Sequence, residues 1–381
     1  MKEKAARHQV GTPQSDKALL QFLGDISLNG SFCDPSCQRV LTRDVNELAG
    51  RLGRCHLRIG NWESPLWGDG GVNVMKQPRL FTTEDAAKSI LSLGLDVALL
   101  ANNHIYDCLE KGFENTLQFL DSNGIHYLGA GINKTKASEP LVLTQNGWRF
   151  GLLNYVGLET NPSIPAGAGV FLNIIKEERL LAEVASLATQ VDIVVLNLHW
   201  GMELVKYPSL EQRRLARRAI EAGARIVACH HSHCLQGHES WRDGHIFYSL
   251  GNFLFGSLRE QRTVQWPKLS RRAAVATCII SKIKVEQVSL TYLYQDGLRL
   301  KWDNTSRREK RQNRLNQCLT LSDVKYKRLW RREVLWQWAV IAPLRFINTS
   351  GGLIKALSRL KWAHMRAVLN ILTKKAQWYE D

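Results

Sequence analysis

The chain lacks the patterns that would insert it into a membrane on its own. Its longest apolar run, residues 334–347, is interrupted by Gln337, Pro343 and Arg345 and is shorter than the roughly 20 residues that a spanning helix needs. Residues 1–17 are polar and contain no apolar core of a secretory signal. With neither a signal peptide nor a transmembrane helix predicted, we expect a cytoplasmic or peripheral membrane protein.

Paired cysteines are also missing. The eight cysteines show no CxxC spacing, and the chain of 381 residues is long enough to bury a large core without cross-links. The spacing indicates neither a zinc ribbon nor a disulfide scaffold, so we expect reduced thiols.

Acidic residues are scarce in one part of the chain. Residues 301–381 contain 18 Lys and Arg against 6 Asp and Glu, an excess of 12 within a net charge of +16 for the whole chain. The first 300 residues are therefore close to neutral. This shift predicts two regions, a domain over residues 18–300 and a basic helical tail over residues 301–381.

The tail is rich in tryptophan. Its sequence interleaves Arg and Lys with Trp330, Trp336, Trp338, Trp362 and Trp378. Apolar residues between 354 and 372 recur at helical spacing, which favours an amphipathic helix at an anionic membrane surface. Packing on the α/β core or on a partner is the alternative interpretation. Nucleic acid is the least favoured partner, because no recognition motif accompanies the charge.

Strands and helices alternate over residues 18–255, which predicts an α/β fold. Residues 191–198 form a nearly unbroken β-branched run, typical of a strand that is buried on both faces. A helix is predicted over residues 211–222 and a second strand over residues 224–229. Residues 275–294 alternate as antiparallel strands would and are expected to complete a sheet.

Polar side chains follow the predicted strands at their carboxyl ends, where open α/β sheets bind ligands. The set combines carboxylates, amides and imidazoles: Asp25, Glu63, Asn103, His104, His199, His231 and His233. Gly24 is expected to turn the chain so that Asp25 faces the crevice. His231 and His233 would point the same way if the chain there is extended.

Mixed oxygen and nitrogen ligands favour Zn, Mn or Fe over Ca, which prefers oxygen alone. Six candidate ligands exceed the needs of one tetrahedral ion and suit two ions that share a carboxylate, so the cofactors expected are one or two divalent metal ions. Two such ions typically serve phosphoryl displacement. His104 would then be free of metal and placed to donate a proton to the substrate, with Asp107, three residues on, orienting its imidazole.

Six ordered motifs between about residues 19 and 256 carry a family resemblance. FLGD, GNWESPL, LANNHIYD, NLHWGMEL, HHSHCLQGHE and IFYSLGNFLF are similar to the motifs of the CapA family of capsule and poly-γ-glutamate synthesis proteins. The resemblance implies a layered α/β sandwich of the calcineurin-like metallophosphoesterase type with a dinuclear site. It also implies metal-ligand positions for Asp25, Glu63, Asn103, His199, His231 and His233, and a catalytic dyad of His104 and Asp107.

One departure leaves two functions open. The metallophosphoesterase pattern opens with Asp-x-His, whereas Ser27 stands here in place of the imidazole. The first hypothesis is a metal-dependent hydrolase that acts on a phosphoester or an amide of an anionic polymer. The second is a non-catalytic accessory subunit of a polymer synthase or export complex. A fold that binds neither metal nor substrate is the third alternative.

Overall fold

Two β-sheets lie face to face in the structure, a computed structural model that describes residues 16–256, 267–337 and 339. The first sheet has eight strands: β1 (Lys17–Ser27), β2 (Leu57–Trp62), β3 (Val97–Leu99), β4 (His126–Leu128), β13 (Asn252–Phe255), β14 (Arg272–Ser281), β15 (Val285–Asp296) and β16 (Arg299–Trp302). Their order is β16-β15-β14-β1-β2-β3-β4, and β13 pairs with the carboxyl-terminal part of β1. Strands β1 to β4 and β13 are parallel, and β14 to β16 are antiparallel.

The second sheet has a parallel centre and antiparallel edges. Its strands are β6 (Leu141–Gln145), β7 (Trp148–Val156), β9 (Ile193–His199), β10 (Ile226–His230), β11 (His238–Trp241) and β12 (Gly244–Phe247), in the order β11-β12-β10-β9-β7-β6. A short pair, β5 (Ala130–Gly131) and β8 (Phe171–Leu172), lies apart. Every residue of β9 is buried, because the strand is covered on both faces, and this explains its continuous apolar run.

Helices cover the outer face of each sheet. They are α1 (Pro35–Leu52), α2 (Glu84–Lys88), α3 (Leu109–Ser122), α4 (Lys134–Ser138), α5 (Glu177–Ala188), α6 (Leu210–Glu221), α7 (Ser306–Cys318) and α8 (Asp323–Trp336), with 3₁₀ turns at Gly30–Cys33, Leu91–Leu93 and Leu158–Thr160. Apolar side chains of α1 and α3 pack on the first sheet, and those of α5 and α6 pack on the second. A third core lies between the sheets and includes Phe22, Leu152 and Val195. The resulting α/β/β/α sandwich confirms the predicted α/β fold class.

Strand β1 departs from its prediction at Gly24. The strand does not turn there but continues to Ser27, with a register irregularity after Asp25. A Cβ on Gly24 would lie 2.0 Å from the carbonyl oxygen of Gly251, and Asp25 N donates to the same oxygen at 2.9 Å. The absence of a side chain therefore permits the close approach of β1 and the start of β13, rather than a turn.

The described part of the tail packs on the second sheet's helices. Tyr326 of α8 is fully buried, donates to Pro208 O at 2.9 Å, and lies under the guanidinium of Arg213, 4.0 Å from its ring centroid. Packing on the core, the alternative interpretation for the tail, thus holds for α7 and α8. The amphipathic segment predicted over residues 354–372 lies outside the described residues. Within the described ranges, no helix is long and apolar enough to cross a membrane.

Candidate metal centre

Strand registry brings the first polar groups together. Asp25 on β1 pairs with Asn61 on β2 and with Asn252 on β13, both in parallel registry, so the three side chains share one side of the sheet. Asn61 Nδ2 donates to Asp25 Oδ1 at 2.9 Å and lies 3.2 Å from Oε2 of Glu63, which directly follows β2. The carboxylates of Asp25 and Glu63 are thus held at one edge of the first sheet.

The segment after β3 turns back on itself and presents Asn103 and His104. Asn102 fixes this turn, because its side chain donates to Trp62 O at 2.8 Å and accepts from His104 N at 3.1 Å. Asn103 Oδ1 lies 2.9 Å from His199 Nε2, across the gap between the sheets. The first sheet and the second sheet therefore contribute side chains to the same buried cluster.

The second sheet contributes imidazoles through adjacent strand ends. His199 ends β9 and His230 ends β10, and the two residues are register partners. The chain is not extended at His231 and His233, whose φ angles are 85° and 52°, so the condition under which extended geometry would align their side chains is not met. Left-handed backbone at non-glycine residues is costly and concentrates at functional sites. The left-handed backbone at His231 and His233 brings their two imidazole rings to one side, with ring centroids 5.8 Å apart.

Two ligand groups share one carboxylate. Asp25, Glu63 and His199 form one group, and Glu63, His231 and His233 form the other; within each, the ligand atoms lie within 4.8 Å of one another. Together with Asn103, these are the six side chains that the sequence predicted as metal ligands, and all of them belong to one contiguous set of contacts. Such a constellation would be able to hold divalent metal ions, and Glu63 would be common to both groups.

Orphaned oxygens give an independent test of whether the residues fit a metal. Oδ2 of Asp25 and Oε1 of Glu63 are buried and have only a long contact with His233, at 3.2 and 3.5 Å, within the described residues. Buried carboxylate oxygens with such weak partners are unfavourable unless a cation neutralises them. The donor set of oxygen and imidazole nitrogen therefore fits a divalent transition-metal ion.

The electrostatics also prepare the imidazoles for metal binding. Burial lowers the pKa of His199 well below its usual value and lowers that of His231 to about 3, so both rings are neutral and keep a lone pair. Burial raises the pKa of Glu63 well above its ordinary value. Burial alone would raise the pKa of Asp25. The hydrogen bonds and charges of His230 and His233 act more strongly than burial, so the pKa of Asp25 lies well below its ordinary value.

The predicted dyad lies beside these groups. His104 Nδ1 is 2.7 Å from Asp107 Oδ2, and both side chains are nearly fully buried. Asp107 Oδ2 also accepts from Leu80 N at 2.7 Å, which fixes the carboxylate from a second direction. Because Nδ1 is engaged, Nε2 is the ring nitrogen available to a substrate.

Three residues of the site were not assigned a role from sequence. Asn61 holds both carboxylates, Asn252 Oδ1 accepts from His233 Nδ1 at 2.8 Å, and His230 Nδ1 lies 3.2 Å from Asp25 Oδ1. His230 Nε2 is buried and has no hydrogen-bond partner in the described residues. Sequence alone did not single out His230. It shares a face with His199 because the two residues are register partners at the ends of the parallel strands β9 and β10.

Replacing His230 with Ala is expected to weaken Mn²⁺ binding by about 10- to 100-fold, since Asp25 would lose the N–H that orients it. Chelator competition on the purified protein measures this. The matched variant is His230→Asn, whose amide nitrogen takes the place of Nδ1 and should restore most of the affinity. Equal affinity in the parent and His230→Ala would show that His230 does not position Asp25.

One known protein family matches this part of the chain. The profile described as bacterial capsule synthesis protein PGA_cap covers residues 19–257. The chain belongs to this family. The matched range contains every candidate ligand and both residues of the dyad, and it confirms the resemblance inferred from the six motifs.

One relative of this PGA_cap-family chain is the capsule biosynthesis protein CapA of Bacillus anthracis. The two are 32% identical over 262 residues, and the alignment covers 64% of this chain and 61% of that protein. The PGA biosynthesis protein CapA of Bacillus subtilis (strain 168) is 28% identical over 264 residues, covering 66% and 67%. A probable polyglutamine synthesis accessory protein of Mycobacterium tuberculosis is 27% identical over 205 residues, covering 50% and 53%. The chain thus spans about three fifths of the Bacillus anthracis relative.

Solved structures are more distant from this PGA_cap-family member. A hypothetical protein from Thermus thermophilus gives a TM-score of 0.47 at 14% identity, covering 73% of this chain and 100% of that one. A 5′-nucleotidase precursor from the same organism gives 0.43 at 13% identity, covering 86% and 60%. Structural similarity at this level gives no information about the chemistry of this chain.

Proposed function

We propose that this chain is a metal-dependent hydrolase in the synthesis of an anionic surface polymer, a capsule or poly-γ-glutamate. The substrate would be a phosphoester or an amide bond of that polymer or of a precursor. One observation carries the proposal: two ligand groups share Glu63, and the His104–Asp107 pair lies beside them. The names of the two Bacillus relatives support the choice of polymer.

The candidate ligands Asp25, Glu63, Asn103, His199, His231 and His233 would hold one or two ions of Mn, Fe or Zn. Bound divalent ions would supply Lewis-acid polarisation of a phosphoryl or carbonyl oxygen and a nucleophile at neutral pH. Asp107 would hold the His104 ring in one orientation through Nδ1–H. The imidazolium form of His104 would give its Nε2 proton to the leaving oxygen or nitrogen as the scissile bond breaks, and the ring would regain a proton from the water that the hydrolysis consumes.

Burial would contribute to this chemistry as well. The candidate ligands are less than 4% exposed, and His104 is 4% exposed, so little bulk water reaches these groups. Charges in such surroundings interact more strongly than they do in water. A substrate anion that enters the crevice would therefore be held firmly between the ligand groups and the dyad.

The test combines metal analysis of the purified protein with turnover of p-nitrophenyl phosphate and of γ-linked glutamate oligomers. We expect one or two equivalents of a divalent metal, with turnover that is lost in His231→Ala together with the metal. Bound metal without turnover of either substrate would contradict the hydrolase assignment.

A non-catalytic accessory subunit is the second candidate. Ser27 takes the place of the imidazole of the Asp-x-His pattern and donates instead to Asn29 Oδ1 at 2.9 Å, away from the candidate ligands. The Mycobacterium tuberculosis relative is named a probable accessory protein. Such a subunit would act beside a polymer synthase or export complex, with the basic tail at an anionic membrane surface, and would bind metal without turnover.

Metal affinity is expected to rise with pH. Burial lowers the pKa of His233, but the negative charges of Glu63 and Asp25 act more strongly and raise it to about 10. The metal-free cluster therefore holds a proton on His233 at neutral pH, and an ion must displace it. Affinity for Mn²⁺ should increase about tenfold per pH unit between about pH 6.5 and 8.5.

Chelator competition at several pH values, with correction for protonation of the chelator, measures this slope. Release of one proton per bound ion, detected in a weakly buffered solution, is the corresponding stoichiometric result. An affinity that is independent of pH over the same range would contradict the protonated state of His233.

A further inference from the structure

Lys76 is a buried cation that the chemistry described above does not use. Lys76 is 3% exposed. Its ammonium donates to Asn161 O at 2.5 Å, and this is the one hydrogen bond that the ammonium makes within the described residues. It forms no ion pair with a carboxylate in that part of the chain. A buried ammonium with two unused donors is costly unless an anion approaches it.

The loop that carries Lys76 is tied to the dyad at two points. Asn73 N donates to Asp107 O at 2.9 Å, and Leu80 N donates to Asp107 Oδ2 at 2.7 Å. Asn73 Nδ2 also donates to Ser163 O at 2.9 Å, which attaches the loop to the facing segment. The position of Lys76 is therefore fixed relative to the proton donor that Asp107 orients.

The facing segment connects Lys76 to the candidate metal ligands. Asn161 O accepts from Lys76, and one residue earlier Thr160 O accepts from Asn103 Nδ2 at 3.1 Å. The φ of Asn161 is 56°, a left-handed conformation of the kind that concentrates at binding sites. Two adjacent carbonyl groups thus link the lysine to a metal-ligand position.

The charges around Lys76 belong to the same crevice. Burial lowers its pKa, and the charges of Asp107, Glu203 and Glu63 oppose that effect. Glu63 is the carboxylate shared by the two ligand groups, and Asp107 is engaged by His104. Glu203 is solvent-exposed. The carboxylates of the dyad and of the shared ligand are therefore close enough to Lys76 to act on its charge.

We propose that Lys76 binds an anionic oxygen of the substrate, a carboxylate or a phosphate, and so selects acidic polymer units. The inference rests on the proposed function, because it takes the crevice as the substrate site. It adds the substrate class: a chain or precursor that carries a negative charge next to the bond to be broken. A substrate with no anionic group there would leave the buried ammonium without a partner.

Binding to the full-length, metal-loaded protein tests the proposal without depending on turnover. Isothermal titration with inorganic phosphate and with a γ-linked glutamate oligomer compares the parent with Lys76→Met, which keeps the length of the side chain and removes the charge. We expect Lys76→Met to raise Kd by about 10- to 100-fold for at least one of the two probes. The probe that is affected identifies the anion.

Two variants serve as controls. Lys76→Arg keeps the cation and should retain most of the affinity, and Lys88→Met changes an exposed lysine that pairs with Glu84 and should bind as the parent does. Metal content is measured in each preparation, so that a folding defect is recognised by loss of metal.

If metal-loaded Lys76→Met binds both probes as tightly as the parent, or if the parent binds neither, the proposal is overturned. Weaker binding by Lys76→Met in a protein that turns over no substrate would uphold the anion site and refute only the hydrolase assignment. The failure of one claim is thereby distinguished from the failure of the other.

Discussion

Replacing Glu63 with Gln is expected to abolish binding at both candidate ion sites at once. Glu63 is the one carboxylate that belongs to both ligand groups, with Asp25 and His199 on one side and His231 and His233 on the other. Loss of an outer-shell partner alone costs up to about 100-fold in metal affinity, and removal of a shared direct ligand should cost more. Metal analysis after dialysis should find less than about a tenth of the parent's metal, with turnover lost in proportion.

The same substitution should leave the metal-free fold intact. Burial raises the pKa of Glu63 well above its ordinary value, because a charged carboxylate is costly to bury there. Gln has the same shape and is neutral, and the thermal midpoint of the metal-free variant should equal or exceed that of the metal-free parent. Addition of Mn²⁺ should raise the midpoint of the parent only.

The solvent-exposed Glu84, which pairs with Lys88 on α2, provides the matched control. Glu84→Gln should retain full metal content and the full thermal response to Mn²⁺. Retention of both metals by Glu63→Gln would show that the two ligand groups do not share this carboxylate.

Replacing His104 with Ala is expected to lower kcat by about 100- to 10,000-fold while the metal content stays at the parent's level. His104 is held by Asp107 at 2.7 Å and belongs to neither ligand group. The substitution therefore separates proton transfer from metal binding. His199→Ala, which removes a candidate ligand, is the contrasting variant and should lose metal.

The choice of leaving group makes this test sharper. A nitrophenolate leaves without much help from an acid, whereas an alkoxide needs a proton. His104→Ala should therefore lose more activity towards an alkyl phosphate than towards p-nitrophenyl phosphate. An equal loss with both substrates would indicate that His104 binds the substrate rather than protonates it.

The fold was largely predictable because each sheet carries its own periodic signal. Strand β9 is buried on both faces and reads as a continuous apolar run, and α6 begins at the Ser209 capping box, as helical spacing indicates. Residues 83–93 have helical spacing in the sequence but do not form one continuous helix. They are divided into α2 and a 3₁₀ turn, because the chain leaves helical geometry at Ile90, whose φ is −109°.

The candidate ligands could be named because strand ends are visible in a sequence, but their contacts could not. Asn61 is central to the site only because β1 and β2 pair in a particular register, and registry is a property of two strands together. Lys76 lies in a loop without periodicity. The loop is bonded to Asp107 through Asn73, and Lys76 itself donates to Asn161 O. The turn at His231 and His233 needed backbone angles that the residue types disfavour.

The most direct measurement is anomalous X-ray diffraction from crystals of the Mn²⁺-loaded protein. We expect two anomalous peaks roughly 3.5–4 Å apart, one among Asp25, Glu63 and His199 and the other among Glu63, His231 and His233. A single peak on either side of Glu63 would limit the site to one ion. The absence of any peak at these side chains in crystals soaked at saturating Mn²⁺ would contradict the account of a metal centre.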